Sequence, residues 1–190
     1  MTCYLIRHGK DDETIRGGWS QHPLTEEGVL QIQSLAEKLD GNSKVSRIYT
    51  SDLTRALQTA QILADKMCLQ IKLCPQFREV NNGCLAGMKN EIAEERYPGL
   101  YWNQLYWEQC YPDGESPSQF YDRIYNAWLA FSDEILSLNE NVSLITHGGV
   151  IHVVRSILEN RPYSNKEKQR SVRHGEVIEL TYIDGTWVEM

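Results

Sequence analysis

Residues 3–9 read CYLIRHG, and residues 142–149 read VSLITHGG. In each stretch a short apolar run ends in a histidine that is followed by glycine. Short apolar runs predict buried strands, and strands that alternate with helices predict an α/β fold with a mostly parallel sheet covered on both faces. Because ligands bind beyond the carboxyl ends of such strands, the sequence predicts that His8 and His147 lie at a functional site.

Local patterns predict the helices and the remaining strands. Thr25 begins a helix that Gly41 ends, and the apolar residues between them fall on one face. Ser51 and Asp52 are natural caps for a second helix. The stretch SPSQ at 116–119 is a capping box with proline at the first helical position. The pattern also predicts strands at 45–49, 69–73 and 177–183, a short helix at 89–96 and a helix after the second His-Gly pair.

Composition bounds the class of protein. The 190 residues predict one domain, 1–190, with an insertion at about 80–116, where the alternation of strands and helices is interrupted. Hydrophobic residues make up 41% of the chain and charged residues 24%, which excludes a disordered protein. The net charge of −7 argues against a nucleic-acid partner, because affinity for phosphate backbones comes from basic residues.

The cysteines and the apolar runs suggest a cellular setting. The five cysteines are odd in number and include no C-x-x-C pair, so we expect reduced thiols. The apolar run at 3–6 is too short for a signal sequence or a membrane span. We therefore expect a cytoplasmic protein with no membrane partner. A homodimer is compatible with the sequence, but no pattern specifies an interface.

Two arginine-containing segments have side chains suited to phosphate. His8 can act as a nucleophile or as an acid–base group, and Arg7 beside it offers a planar fork of donors. A second RHG tripeptide, at 173–175, precedes a strand instead of following one, and we interpret it as a surface turn. Arg55 falls in the first turn of the second helix, near free N–H groups that favour anions. On its own, Arg55 is more typical of a solvated surface arginine.

A carboxyl and a second histidine complete the candidate set. Glu79, just after the third strand, can donate a proton to a leaving oxygen if it lies in a pocket, but alone it is typical of a solvated loop acid. His147 alone is typical of a buried core histidine. A metal site that pairs His147 with His152 or His8 has poor ligand spacing, and no cysteine or carboxylate completes it. We therefore predict no metal site.

Six segments of the chain, in their order, point to one family. They are LIRHG at 5–9, PLTEEG at 23–28, SDLTRALQTA at 51–60, Glu79 with Gly83 and Gly87, PDGES at 112–116 before Arg123, and THGG at 146–149. Any one of these segments is a weak indication, whereas the ordered set is specific. The sequence resembles the histidine phosphatase superfamily, in its phosphoglycerate mutase-like branch, from residue 5 to about residue 150.

The resemblance implies a fold and a set of roles. It implies a three-layer α/β/α sandwich with a phosphate pocket at the carboxyl edge of the sheet. His8 resembles the nucleophile that becomes phosphohistidine. Arg7, Arg55 and a protonated His147 resemble the cations that surround the phosphoryl group. Glu79 resembles the proton donor to the leaving alcohol, which then activates water. No cofactor and no metal are required.

Two further positions are carried over as phosphate-binding residues. Thr14 stands where the family often has asparagine, and its hydroxyl can hydrogen-bond a phosphate oxygen. Gly148 follows His147 at the start of the next helix and is counted with it as a phosphate contact.

The family resemblance covers both phosphatases and mutases. Mutases typically follow the glutamate with RHYG, whereas here residues 80–83 read VNNG. The stretch 97–122 contains no lysine or arginine, although mutases use basic residues there to hold a second phosphate. The sequence therefore predicts a phosphatase that acts on a small-molecule phosphate monoester. The alternatives are a cofactor-dependent phosphoglycerate mutase and a non-catalytic protein that binds phosphorylated ligands.

The aromatic side chains of 97–122 leave two interpretations open. They can form a lid over an apolar or aromatic alcohol, or they can pack the insertion onto the domain. α-Ribazole phosphate, a substrate of similar small members of the family, fits the size of the chain, but no residue indicates it.

Overall fold

One mixed sheet is the scaffold of the molecule. The computed structural model describes residues 1–41, 44–168 and 170–190. The strands in these ranges are β1 (Thr2–Arg7), β2 (Val45–Thr50), β3 (Gln70–Leu73), β4 (Asn141–Thr146), β5 (Val177–Ile183) and β6 (Thr186–Glu189). Their order is β3-β2-β4-β1-β5-β6. The pairs among β1 to β4 are parallel, and β5 and β6 extend the sheet as antiparallel neighbours.

Helices cover both faces of this sheet. They are α1 (Glu26–Leu39), α2 (Thr54–Met67), α3 (Asn90–Arg96), α4 (Pro117–Leu138) and α5 (Gly148–Leu158). Ile6 and Ile145 pack with α1 and α2 in one buried cluster, whereas Leu5 and Leu144 pack with α4 and α5 in another. Because successive residues of a strand face opposite sides, strands buried on both faces have the continuous apolar runs seen in the sequence. The expected three-layer α/β/α sandwich is confirmed.

Two predicted helix starts are confirmed. The Thr25 hydroxyl accepts a hydrogen bond from the backbone of α1, so Thr25 is its N-cap. Ser116 and Gln119 form the reciprocal bonds of a capping box at the start of α4, with proline at the first helical position. These ends are set by residues within one turn of each other, which is why the local sequence predicts them.

The prediction that Ser51 and Asp52 cap α2 is wrong. Leu53 occupies the N-cap position, without a side-chain cap. Ser51 lies 2.9 Å from a ring nitrogen of His147, and Asp52 accepts a hydrogen bond from Arg78 Nε at 2.6 Å. Both side chains are thus engaged in tertiary contacts instead of capping their own helix.

The interval between β3 and α4 contains α3 and three 3₁₀ turns, and no strand lies in it. Leu85, Leu105 and Tyr111 form a small buried cluster of their own there. This is the interval in which the sequence predicted an insertion. None of the helices in the described part of the chain combines the length and the apolar composition that crossing a membrane requires.

Candidate active site

The register of β1 and β4 brings two histidines together. Arg7 pairs with Thr146 across these neighbouring parallel strands, so the next residues, His8 and His147, leave the sheet side by side. The backbone N–H of His8 donates to the carbonyl of Thr146 at 3.0 Å, and the two imidazole centroids are 5.1 Å apart. The predicted pair at the carboxyl edge of the sheet is therefore assembled.

One ring nitrogen of His8 carries the lone pair that a nucleophile needs. Its Nδ1 lies 2.8 Å from the carbonyl of Gly9, and because a carbonyl only accepts, the ring proton is on Nδ1. Nε2 then carries a lone pair, which accepts a hydrogen bond from Arg55 Nε at 3.2 Å. Burial of the ring, with Arg55 next to it, holds the pKa of His8 well below its usual value. The imidazole is therefore neutral near pH 7.

Arg55 is held rigidly beside that nitrogen. It lies in the first turn of α2, as predicted, but its side chain is only 2% exposed, which is not the solvated arginine of the alternative interpretation. Nη1 donates to the carbonyl of Ser20 at 3.1 Å, and Nη2 donates to the carbonyl of Gly18 at 2.8 Å. These bonds fix the plane of the guanidinium before any ligand arrives.

Arg7 lies on the other side of the site with part of its donor set unused. Nη1 donates to the carbonyl of Val172 at 2.6 Å, and Nη2 lies 2.7 Å from Nε2 of His174. The Nε atom is buried and has no hydrogen-bond partner among the described residues. A buried N–H without an acceptor costs about 1–3 kcal/mol, so an acceptor at this position is stabilising.

His147 also has a buried nitrogen without a partner. Ser51 Oγ accepts a hydrogen bond from the N–H of Leu53 at 3.3 Å and lies 2.9 Å from His147 Nε2. The hydroxyl of Ser51 has no other acceptor among the described residues, so we assign it as the donor to Nε2 and place the ring proton of His147 on Nδ1. Within the described ranges, nothing accepts that proton.

The charge state of His147 differs from the expectation. Burial, together with the positive charge of Arg55, holds the pKa of His147 well below its usual value. The His147 ring is therefore uncharged and acts as a hydrogen-bond donor, whereas the family resemblance implied a positively charged ring. Its Nδ1–H can still donate one hydrogen bond to an anion.

Glu79 is fixed at the start of α5. Its Oε2 accepts a hydrogen bond from the N–H of Gly149 at 3.0 Å, and its Oε1 accepts one from its neighbour Val80 at 3.1 Å. Its backbone carbonyl accepts from Arg123 Nη2 at 3.1 Å and from Trp19 Nε1 at 2.7 Å. Hydrogen bonds thus hold both the carboxylate and the backbone of Glu79, so it is not the solvated loop acid of the alternative interpretation.

Two cavities meet at these residues. The smaller, of about 180 Å³, is lined by Arg7, His8, Arg55 and Glu79 among others. The larger, of about 500 Å³, shares Arg7 and Glu79 with it and is also lined by Gly148. The geometry thus provides a small polar cavity next to the nucleophile and a larger one on the far side of the carboxyl.

A family match agrees with this arrangement. The model of the histidine phosphatase superfamily (branch 1) matches residues 3–190. The chain belongs to the histidine phosphatase superfamily.

Individual relatives support this membership. Phosphoglycerate mutase-like protein 4 of Arabidopsis thaliana is 33% identical over 172 residues, which are 85% of this chain and 72% of that protein. The structure of YhfR from Bacillus stearothermophilus has a TM-score of 0.84 at 25% identity, covering 99% of this chain and 94% of the other. The α-ribazole phosphatase of Shigella flexneri, at 23% identity, has a TM-score of 0.82 over 100% of this chain and 95% of that one, which shows the shared fold.

The structure does not bring Thr14 to the histidine phosphatase site. Its side chain is exposed, and its hydroxyl donates to Asp12 Oδ1 at 2.7 Å. Thr14 borders a separate surface cavity with Lys89 and Asn90. The local turn with Asp12 uses the hydroxyl, so a phosphate contact by Thr14 stays a prediction.

The second RHG tripeptide is not the solvent-exposed turn that the sequence suggested. Gly175 does form a turn, but its N–H donates to the carbonyl of Arg7 at 3.0 Å and ties the segment to β1. The His174 ring lies with its centroid 5.4 Å from that of His8 and lines the smaller cavity. No local pattern predicts that His174 lies near His8, because this contact depends on β5 lying antiparallel to β1.

Asp11 is another residue of the smaller cavity that the sequence did not predict. Its carboxylate lies 3.4 Å from Arg55 Nε and 3.3 Å from His174 Nε2. Asp11 is three residues after His8 in the chain, and this short separation is the signal that could have placed it near the site.

These side chains also bear on metal binding. His8, Asp11 and His174 place three potential ligand atoms within 4.8 Å of one another. However, His8 and Asp11 both contact the guanidinium of Arg55, and His174 contacts that of Arg7. Two fixed positive charges disfavour a cation at this position.

Proposed function

We propose that the protein hydrolyses phosphate monoesters through a phosphohistidine at His8, without a metal ion. One observation carries this proposal. Two buried nitrogens, Arg7 Nε and His147 Nδ1, have no partner in the described part of the chain, and their residues neighbour His8, one in sequence and the other with its ring centroid 5.1 Å away. Oxygens of a bound phosphoryl group are the acceptors that would satisfy both nitrogens. The two cationic arginines favour an anion in the same place.

The first step forms the phosphoenzyme. His8 Nε2 attacks phosphorus, a P–N bond forms, and the bond to the ester oxygen breaks. Protonated Glu79 gives its proton to the leaving oxygen, so an alcohol departs and a carboxylate remains. Splitting hydrolysis into two displacements replaces one difficult step by two easier ones.

The second step releases phosphate. The Glu79 carboxylate takes a proton from water while the water oxygen attacks phosphorus, and the P–N bond breaks. His8 leaves as neutral imidazole and Glu79 is protonated again. In both steps, Arg7, Arg55 and the Nδ1–H of His147 stabilise charge on the equatorial oxygens, the part that a metal ion has in other phosphotransfer sites.

The larger cavity suits an uncharged or aromatic alcohol. Trp102, Phe120 and Tyr163 contribute aromatic lining to its roughly 500 Å³. Trp102 also stacks on Tyr111 with a centroid distance of 6.3 Å, so the aromatic insertion contributes both packing and lining. We propose that the alcohol part of the substrate binds against Trp102, as the lid interpretation requires.

The charges around this cavity favour a phosphatase over a mutase. Among the described residues that line it, only Arg7 and His152 are basic, and Arg7 already belongs to the phosphate site. Burial, with the charge of Arg155 nearby, lowers the pKa of His152 to about 4, so this ring is neutral. Glu167 adds negative charge to the lining. The described residues of this lining therefore offer no free cation to a second phosphate group, whereas a mutase must bind a second phosphate group.

A phosphoglycerate mutase stays the second candidate, because the Arabidopsis relative is named mutase-like. The α-ribazole phosphatase with the same fold gives no closer guide to the substrate, since that likeness concerns the fold. The two activities separate cleanly in an assay that follows both isomerisation of 3-phosphoglycerate and release of inorganic phosphate.

Hydrolysis of p-nitrophenyl phosphate in the presence of EDTA tests the proposal. We expect turnover that EDTA does not inhibit, that is lost in His8→Ala, and that exceeds turnover of 3-phosphoglycerate. Trp102→Ala is the control for the larger cavity: the KM for aromatic esters should rise while small esters are less affected. Inhibition by EDTA that added metal reverses, or activity in His8→Ala equal to wild type, would contradict the mechanism.

A further inference from the structure

A carboxylate lies inside the cavity that the proposed function assigns to phosphate. Asp11 lines this cavity together with His8, and its side chain is 15% exposed. A pocket for an anion is expected to present cations and N–H donors. A fixed negative charge close to the nucleophile acts against binding, and the phosphatase mechanism above assigns it no part.

The Asp11 carboxylate contacts Arg55, one of the cations that would bind phosphate. Oδ2 lies 3.4 Å from Arg55 Nε, the same nitrogen that donates to His8 Nε2 at 3.2 Å. A phosphoryl oxygen at His8 would compete with Asp11 for this N–H. The Asp11 backbone is anchored by a β-bridge to Leu24, so the carboxylate is not on a free loop.

His174 extends this competition to the second arginine. Its Nε2 lies 3.3 Å from Asp11 Oδ1 and 2.7 Å from Arg7 Nη2. The histidine therefore lies between the carboxylate and Arg7, while Arg55 contacts the carboxylate directly. Burial acts to raise the pKa of Asp11, but the contact with His174 and the nearby positive charge of Arg55 lower it to about 2. Asp11 is thus ionised at neutral pH.

We propose that Asp11 is a specificity-determining residue that weakens the hold of this cavity on free, dianionic phosphate and so promotes release of the product. The inference rests on the proposed function, since it concerns the same site. Asp11 repels the phosphoryl group of ester and product alike, but inorganic phosphate has no alcohol to bind in the larger cavity, so it is the ligand that this repulsion releases most readily. For like charges a few ångströms apart in a partly buried pocket, the effect on affinity is about tenfold or more.

The test is direct binding of inorganic phosphate by isothermal titration calorimetry at neutral pH. Asp11→Asn and Asp11→Ser remove the charge, and Asp133→Asn makes the same charge change on the exposed face of α4. We expect both Asp11 variants to bind phosphate about tenfold more tightly than wild type, with the Asp133 variant unchanged. In p-nitrophenyl phosphate hydrolysis, the inhibition constant of phosphate should fall by the same factor, and KM and kcat should fall together as release slows.

The outcomes separate this inference from the proposed function. Unchanged or weaker phosphate binding in the folded Asp11 variants overturns the inference, because Asp11 would then orient the arginines instead of opposing the ligand. Phosphate binding without any ester hydrolysis by wild type overturns the proposed function, while the affinity ratio still decides the role of Asp11. Absence of phosphate binding in wild type and variants alike overturns both. Thermal unfolding shows which variant retains the native fold, and either substitution suffices.

Discussion

At the scale of single residues, the site depends on where protons lie. The Gly9 carbonyl determines which ring nitrogen of His8 carries the proton, and the Ser51 hydroxyl does the same for His147. Both histidines are neutral, and each presents a different nitrogen: a lone pair on His8 and an N–H on His147. A hydrogen-bond acceptor and a hydrogen-bond donor thus come from the same residue type because their neighbours differ.

Gly149 gives the sharpest prediction at this scale. A Cβ atom there would lie 2.3 Å from Glu79 Oε1, so Gly149→Ala must displace the carboxyl. Alanine favours the helix, so the melting temperature should not fall, while kcat should fall between about tenfold and a hundredfold. Steady-state kinetics and thermal unfolding measure the two effects. Gly148→Ala, whose Cβ meets Arg7 Nε at an ordinary 3.7 Å, should cause a smaller loss. Full activity in Gly149→Ala would show that Glu79 is not the proton donor.

The sequence predicted most of the site residues but not all of their surroundings. His8, Arg55, Glu79 and His147 could be found because each belongs to a motif with a fixed place at a strand or helix end. The structure brings all four together, while their catalytic roles stay predictions. His174 could not be found, because it reaches the cavity only through the pairing of β5 with β1.

At the scale of elements, the sequence predicted five of the six strands in the described ranges and missed β6. β6 reads TWVE and lies at the edge of the sheet, where alternate side chains face solvent. Four residues with two polar ends give too short a pattern to distinguish a strand from a loop. What holds β6 in place is tertiary: Trp187 donates to Ser132 of α4 at 2.7 Å, and Glu189 binds Arg155 of α5.

This contact leads to a prediction about β6. Arg155 is buried and forms two hydrogen bonds with Glu189, at 2.7 and 2.8 Å. Glu189→Ala leaves that charge without its partner, so we expect the free energy of unfolding to fall by roughly 3 kcal/mol. Arg170, which is exposed and also contacts Glu189, is the matched control: Arg170→Ala should cost less than about 1 kcal/mol. Urea denaturation measures both. Equal losses would contradict a dominant role for the buried pair.

At the scale of the whole molecule, buried neutral histidines make stability depend on pH. Burial lowers the pKa of His152 to about 4, and it lowers those of His8 and His147 as well. Above about pH 6.5 these histidines are neutral in both the folded and the unfolded state and have no effect. Below that pH the unfolded chain binds protons that the folded protein does not, so the free energy of unfolding decreases as the pH is lowered.

We therefore expect the melting temperature to decrease as the pH is lowered from about 6.5 towards about 4. Asp11 adds to the loss only at lower pH, because its pKa of about 2 lies below that of an unfolded aspartate. In His152→Gln the decrease should be shallower, since one titrating group is removed. Calorimetric melting curves at several pH values measure the slopes, and parallel slopes for wild type and His152→Gln would contradict the assignment.

Identifying the phosphorylated residue tests the central claim most directly. Wild type mixed with p-nitrophenyl phosphate is denatured in alkali during turnover, digested, and sequenced by mass spectrometry, with His8→Ala treated in parallel. We predict one acid-labile phosphoryl group, on His8 in wild type and on no residue in the variant. A phosphoryl group on another residue, or turnover by His8→Ala at the wild-type rate, would contradict the phosphohistidine mechanism.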